Sequence, residues 1–486
     1  MERTALLERG ETAFARGDVT EAVASWRAVL DQAPDDPVAL TNLAAALNAS
    51  GQFAGAEAAC LSALAVCPGH WAALANLGVS LHRQQRLTEA VAAYAGSLRG
   101  HPANADVCTN LAVALAEQWR MDESLMLHEA ALALAPDDPE VRANRALALL
   151  TAGDLAQGFV ENEWRWHCAG MRPHGVEGPL WRGEDPQGLR ILLHEEGGFG
   201  DTLQFIRYAP LLVARGAEVT VMVRSPLLRL LQRSLPGVTV LPQSAARPNH
   251  DRHCPMVSLP LGFGTTLGTV PTPIPYLQAD PEGAARCRDR LDREIGTQDL
   301  RVGLVWAGAP RPDMPIAHAM DARRSIDPSL LTALAGTPSV RFVSLQLQSS
   351  QKPPATLRLS DAMSNMTDFA DTSDLVSGLD LVIAVDTAVA HLAGALGRPV
   401  WLLSRHDSCW RWIAHRTDSP WYPGLRLYRQ PAPGDWPSVI EAVRADLTAW
   451  AEASRPETAG NAHTPTAPSS AGKREPPRRS SPRRRR

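Results

Sequence analysis

Leu381-Val-Ile-Ala-Val-Asp386-Thr387-Ala388-Val-Ala-His391-Leu-Ala-Gly394-Ala-Leu-Gly397-Arg-Pro399-Val-Trp-Leu-Leu403 reads as a buried strand, a tight turn, a helix of small residues and a second buried strand. The run Leu381–Val385 has no polar alternation, as expected of a central parallel strand covered on both faces. Asp386 and Thr387 fall where strand gives way to helix. Open α/β sheets bind ligands there, and free helix N–H groups attract anions. His391 lies four residues past Thr387, one helical turn on, so both can face the same mouth.

Outward from this unit, strands alternate with helices. Arg301–Trp306, Val340–Leu345, Val400–Leu403 and Leu425–Tyr428 join Leu381–Val385 in one half, expected over residues 286–454. Arg190–His194, Glu218–Val223, Val238–Leu241 and Met256–Leu259 read as strands of another, over 189–285. Two doubly wound halves of this size face one another across a cleft. The first half opens with Ile191-Leu-Leu-His194-Glu195-Glu196-Gly197-Gly198-Phe-Gly200-Asp201-Thr202-Leu-Gln204. Asp201 suits a helix cap by type. At the cleft end of the first strand its carboxylate is equally placed to take a proton from an acceptor hydroxyl. Gly198-Phe-Gly200 is followed by Asp201 with no third glycine, which argues against a dinucleotide fingerprint.

The first third of the chain repeats. Pro34, Pro68, Pro102 and Pro136 stand 34 apart, as do Asn42, Asn76, Asn110 and Asn144. A small residue recurs at Ala22, Ala56, Ala90 and Ser124, and Gly17, Gly51 and Gly153 keep the same register. The spacing resembles the tetratricopeptide repeat, two helices per unit, over 1–165. Such arrays form curved surfaces that bind proteins, so a protein partner is expected there. The bland alternative is a purely structural or dimerising array. Residues 166–188, rich in Gly and Pro, read as a linker. Residues 455–486 are poor in apolar residues and read as a disordered tail. Eight Lys/Arg between Lys473 and Arg486 set that tail against a body about 11 negative, and allow it weak charge-driven contacts.

The 486 residues exceed one ordinary core. No apolar stretch is long enough for a membrane span, and the N-terminus lacks a signal-peptide pattern. Seven dispersed cysteines suit reduced thiols, so the expected location is cytoplasmic. His250, His253 and Cys254 cluster without a second ligand pair, and no metal site is expected.

The two mouths, Gly198-Phe-Gly200-Asp201 and Val385-Asp386-Thr387-x-x-x-His391-Leu-Ala-Gly-Ala-Leu-Gly, together resemble the ADP-heptose:lipopolysaccharide heptosyltransferase family. The blocks Val302-Gly-Leu-Val-Trp306-Ala-Gly308 and Ser419-Pro-Trp421-Tyr-Pro423 add to the likeness. The resemblance implies an α + α/β chain, with a repeat solenoid before a GT-B transferase of two Rossmann-like halves. Acceptor would bind on the first half and nucleotide-sugar donor on the second, with no catalytic metal or cofactor. It makes Asp201 the general base. It places Asp386, Thr387, Ala388 and His391 around the donor, His391 also as a catalytic group.

Trp306, Gly308 and Arg324 join the expected donor side, and Gly198, Gly200 and Gln204 the acceptor loop. Backbone N–H groups at Thr387 and Ala388 suit a leaving diphosphate, while Asp386 suits sugar hydroxyls or the turn itself. For His391 a helix-packing role stays open. The implied activity is an inverting, metal-independent sugar transfer to a hydroxyl on a protein (flagellin-like or other) docked by the repeats, or on a surface glycan. The alternative is a non-catalytic repeat scaffold with a decayed transferase. Ala309 and Leu347, where similar proteins carry Asn and Lys, lean towards it.

Overall fold

The computed structural model describes residues 2–171, 174–347 and 353–454; the tail expected to be disordered lies outside the described residues. Ten helices come first: α1 (Glu2–Ala15), α2 (Val19–Gln32), α3 (Pro37–Ala49), α4 (Phe53–Val66), α5 (Trp71–Arg83), α6 (Leu87–Gly100), α7 (Ala105–Glu117), α8 (Met121–Leu134), α9 (Pro139–Ala152) and α10 (Leu155–Asn162). They pack in consecutive pairs. The in-phase Ala22, Ala56, Ala90 and Ser124 are fully buried, small because paired helices close over them. Each in-phase proline follows a helix C-cap (Ala33, Cys67, His101, Ala135), where it stops the helix. Asn76 donates to the Thr41 carbonyl at 3.2 Å and accepts from Asn48 at 2.9 Å through its own, tying neighbouring repeats.

The turn within each pair holds one residue at positive φ: Gly17 (80°), Gly51 (77°), Gln85 (62°), Trp119 (64°) and Gly153 (94°). Glycine is free there, whereas Gln85 and Trp119 accept a penalty of roughly 1–2 kcal/mol. Trp119 has a partner that accounts for it. Its ring lies under the Arg429 guanidinium, 4.4 Å from the centroid, against the α/β part.

Two parallel sheets follow. β1 (Arg190–His194), β2 (Glu218–Val223), β3 (Val238–Pro242) and β4 (Arg252–Pro255) form the first, in the order β3-β2-β1-β4. The strand expected at Met256–Leu259 lies four residues earlier, and Met256–Ser258 is a 3-10 turn. β4, last in the sheet order and flanked by the joining segment at Leu180, carries Arg252 and His253, polar residues that hide it in the sequence. The helices of this half are α11 (Phe199–Phe205), α12 (Ala209–Ala214), α13 (Ser225–Ser234) and α14 (Leu259–Gly262).

The second sheet has β5 (Leu300–Val305), β6 (Val340–Ser344), β7 (Ser360–Asp361), β8 (Leu381–Val385), β9 (Val400–Ser404) and β10 (Leu425–Arg429), in the order β10-β9-β8-β5-β6-β7. Its helices are α15 (Pro281–Ile295), α16 (Pro315–Arg324), α17 (Phe369–Ser377), α18 (Ala388–Ala395) and α19 (Trp436–Ala453). The strand order reverses between β1 and β4 in one sheet and between β5 and β8 in the other. These reversals are switch points, where crevices open at the carboxyl ends of strands.

One apolar core runs through both halves and takes in Leu150, Leu155 and Phe159 of α9 and α10. The Ala414 N–H donates to the Thr151 carbonyl at 2.7 Å, fixing the same junction. The segment expected as a linker is packed as well. Leu180 bridges His253 in parallel, and Val176 covers Leu192 and Met222 on the face of the first sheet away from the main core. Among the described residues no helix is long and apolar enough to cross a membrane.

Candidate active site

The loops at the two switch points meet. α11, which follows β1, packs along α18, which follows β8. Gly200 makes the approach possible: a Cβ there would lie 2.8 Å from His391 Cδ2.

Asp201 sits in the first turn of α11, not at its cap. One carboxylate oxygen accepts the Gly198 N–H at 2.6 Å, and the other is paired with Arg411. Arg411 lies on the 3-10 turn Trp410–Trp412 after β9, stacks on Trp410 (4.5 Å) and donates Nε to Gln204 Oε1 at 2.7 Å. Glu195 braces the loop by accepting from Thr202 (2.9 Å) and from the Arg224 backbone (2.7 Å).

On the facing side, Thr387 is the extended residue before α18, and its side chain makes no capping bond. Asp386 offers its carbonyl to Arg324 Nη1 at 2.8 Å. A Cβ at Gly308 would run into the Arg324 guanidinium, which glycine lets close over the end of β5. The Gln346 side chain staples the end of β5, accepting from the Trp306 and Ala307 N–H groups at 3.1 and 2.9 Å. Trp306 itself is buried. Leu347 is exposed and brings no charge, while Arg324 and Arg411 are cations beside the cleft.

His391 is buried, stacked on Trp412 (5.4 Å between centroids), with Nδ1 bonded to Tyr422 Oη at 2.9 Å. Nε2 points to Asp386 Oδ1, 3.8 Å away. Burial pushes its pKa down to about 4. The Asp386 carboxylate opposes that shift, and the Arg411 guanidinium adds to it. The ring is therefore neutral at physiological pH.

Several buried polar atoms around this cleft lack a hydrogen-bond partner: Thr387 Oγ1, Arg324 Nε, Gln204 Nε2 and Trp306 Nε1. Unpaired buried donors are costly, and a polar ligand in the cleft would satisfy these four. Residues Asp201, Gln204, Gly200 and His391 thus come together, with Asp386, Thr387 and Arg324 beside them. Arg411 is an addition with no local signal, since its partner lies 210 positions away.

The His250, His253, Cys254 group does not assemble. Cys254 faces the main core, and His250 bonds the Pro248 and Glu177 carbonyls at 2.9 and 3.0 Å.

Residues 7–69, 62–105 and 105–135 match the tetratricopeptide repeat, and residues 360–405 match glycosyltransferase family 9 (heptosyltransferase). That second segment contains β8, the Asp386–Thr387 turn and α18. The chain is 27% identical over 329 residues to Protein FlbA of Caulobacter vibrioides, covering 62% of this chain and 53% of that protein. It thus spans about half the length of the curated relative it matches. Among solved structures it resembles TTC0263, a tetratricopeptide protein of Thermus thermophilus, at 24% identity and TM-score 0.31, covering 34% of this chain and 91% of that one. It also resembles pilF of Pseudomonas aeruginosa at 21% identity and TM-score 0.32, covering 35% and 78%.

Proposed function

We propose that this chain is a glycosyltransferase that moves a sugar from a nucleotide-sugar donor to a hydroxyl acceptor in one inverting displacement. The observation that carries the reading is the meeting of Asp201 on α11 with the α18 N-terminus, across two facing switch points. Asp201 takes the proton of the acceptor hydroxyl as its oxygen attacks the anomeric carbon. The bond from that carbon to the diphosphate breaks, and the electron pair leaves on phosphate oxygen. Charge there is met by the free N–H groups at Thr387 and Ala388, by the Thr387 hydroxyl and by Arg324. Asp386 holds the turn and faces the sugar. His391, neutral and clamped by Tyr422 and Trp412, shapes the floor and presents Nε2 to the donor side. Trp306 and Gly308 line the nucleotide side, while Gly198, Gly200 and Gln204 line the acceptor side. Catalysis by charge and proton transfer of this kind calls on no metal at the cleft.

The repeats supply the surface for a protein partner, and we place the acceptor on a protein docked there or on a surface glycan. The free, dispersed cysteines suit a cytoplasmic enzyme.

A second reading has one observation in its favour: Asp201 is already neutralised by Arg411, as in a non-catalytic scaffold. The two readings separate in a nucleotide-sugar screen. Full-length protein with UDP-, ADP-, GDP- or CMP-sugars should melt later with one of them, by about 2.7 kcal/mol at 100 times its Kd. It should also release the corresponding nucleotide when acceptor is present. Stabilisation by none of them leaves the scaffold.

A further inference from the structure

We propose that His174, His194 and His253 bind one divalent transition-metal ion of the zinc type, on the face of β1 and β4 that the joining segment covers. The three residues are brought together from the joining segment and from two strands, 20 and 59 positions apart. One ring nitrogen of each lies within 4.8 Å of the others. The alternation of the strands explains the cluster. Ile191, Leu193 and Cys254 face the main core, so His194 and His253 emerge on the other face, beside Leu192 and Met222. The segment carrying His174 and Val176 folds over that face.

The proton positions suit a ligand set. His253 Nε2 is 3.2 Å from the Gly178 carbonyl, a group that only accepts, so the proton of that ring is spent outward. Its Nδ1 is left with a bare lone pair, aimed at His194 Nε2 at 3.2 Å. Metal-bound imidazoles are oriented by such an outward bond to a carbonyl. Two nitrogens on one tetrahedral zinc, each about 2.0–2.1 Å from it, stand about 3.3 Å apart, close to the separation found. His174 is the adjustable member. Its Nδ1 now accepts the Val176 N–H at 3.1 Å, and the ring is half-buried on a stretch with Gly175 at φ 64°. It joins the ion by exchanging that bond for the metal.

Burial disfavours the charged form of all three rings. It is the main cause of the fall of His194 to about 3 and His253 to about 4, with neighbouring imidazoles adding to both, and of the lowering at His174, which Glu196 opposes and Arg247 and Arg165 reinforce. An all-imidazole set selects Zn, Cu, Ni or Fe over Mg and Ca. Three protein ligands leave a fourth position for water or a small anion. Such an ion would pin the joining segment to the first sheet.

The test is metal binding by the untagged full chain after chelator treatment and dialysis. Zinc added back should bind at one per chain and survive gel filtration, as read by elemental analysis, and raise the Tm. Cobalt in its place should give the visible absorption of a low-coordinate nitrogen site. His194→Asn with His253→Asn should abolish both signals. His174→Asn, which leaves the sheet untouched, should weaken zinc by more than about 10-fold while the far-UV spectrum stays wild type. Absence of stoichiometric zinc in the wild type, or zinc binding unchanged in His174→Asn, overturns the proposal.

Discussion

Arg411 and Asp201 form an ion pair that joins the two α/β halves across the cleft, one from the turn after β9 and one from the helix after β1. The carboxylate that is to accept a proton is thus tied to the cation closest to it. A bound donor offers Arg411 a second anion, the diphosphate, and so a reason to release Asp201.

Asp201→Asn should lower the transfer rate about 100- to 10,000-fold while donor-induced stabilisation persists. The free protein should also lose some stability, about 1–3 kcal/mol, because a partly buried Arg411 loses a charged hydrogen-bond partner. Steady-state rates beside thermal melts decide it. A variant with more than a tenth of wild-type rate makes Asp201 a brace only.

Arg411→Ala should weaken the donor complex and destabilise the free protein. Combined with Asp201→Asn the stability losses should be less than additive, since the second change removes a charge whose partner is already gone. A double-mutant cycle by denaturant melts measures the coupling, and strict additivity contradicts the pair.

Acid should unfold the protein early. The pKa of His391 is near 4, against an ordinary 6.5, chiefly through burial, with Asp386 opposing and Arg411, Asp201 and Arg207 also facing the ring. His128, on α8, likewise sits near 4 through burial, with Arg145 adding. Both rings bind a proton more readily unfolded than folded. Their stabilisation is therefore complete above about pH 6.5 and lost as pH falls towards 4, on the order of 3 kcal/mol for His391. His391→Gln should reduce proton uptake on unfolding by about one between those limits, measured from the slope of stability against pH.

A chain starting at residue 105 should fold and keep donor binding, whereas one starting at 166 should not. The second cut strips Leu150, Leu155 and Phe159 from the shared core, and losing one large buried side chain alone costs about 2–5 kcal/mol. Circular dichroism and nucleotide-sugar melts compare the two. A well-folded chain from 166 would show the junction to be dispensable.

Gln85 and Trp119 separate backbone strain from contact. Gln85→Gly should be neutral or stabilising by up to about 1 kcal/mol, since glycine relieves the positive φ. Trp119→Gly relieves the same strain but should destabilise, because it abandons Arg429. Thermal melts of the two variants give opposite signs if the tryptophan docks the repeats.

The repeats were legible because one packing rule recurs every 34 residues and writes Pro, Asn and small residues in phase. The β8–α18 unit was legible because a strand buried on both faces permits no polar residue. β4 was displaced by four residues because Arg252 and His253 break its apolar run, the one paired with Glu184 and the other bonded to His194. The joining segment looked like a tether, yet glycine and proline equally suit an extended stretch laid on a sheet. Arg411, and the meeting of His174 and His194 with His253, left no signal, since contacts between distant residues have no period to read.

The fusion of α9 and α10 into the α/β core makes one end of the array an anchorage and leaves the distal repeats as a graduated rod. Each 34-residue unit inserted or removed among those distal helices shifts everything beyond it by a fixed step and rotation, while the cleft stays where it is. Repeat number then sets how far from the docked epitope a hydroxyl must lie to reach Asp201. Reach, as well as affinity, becomes a coordinate of acceptor choice.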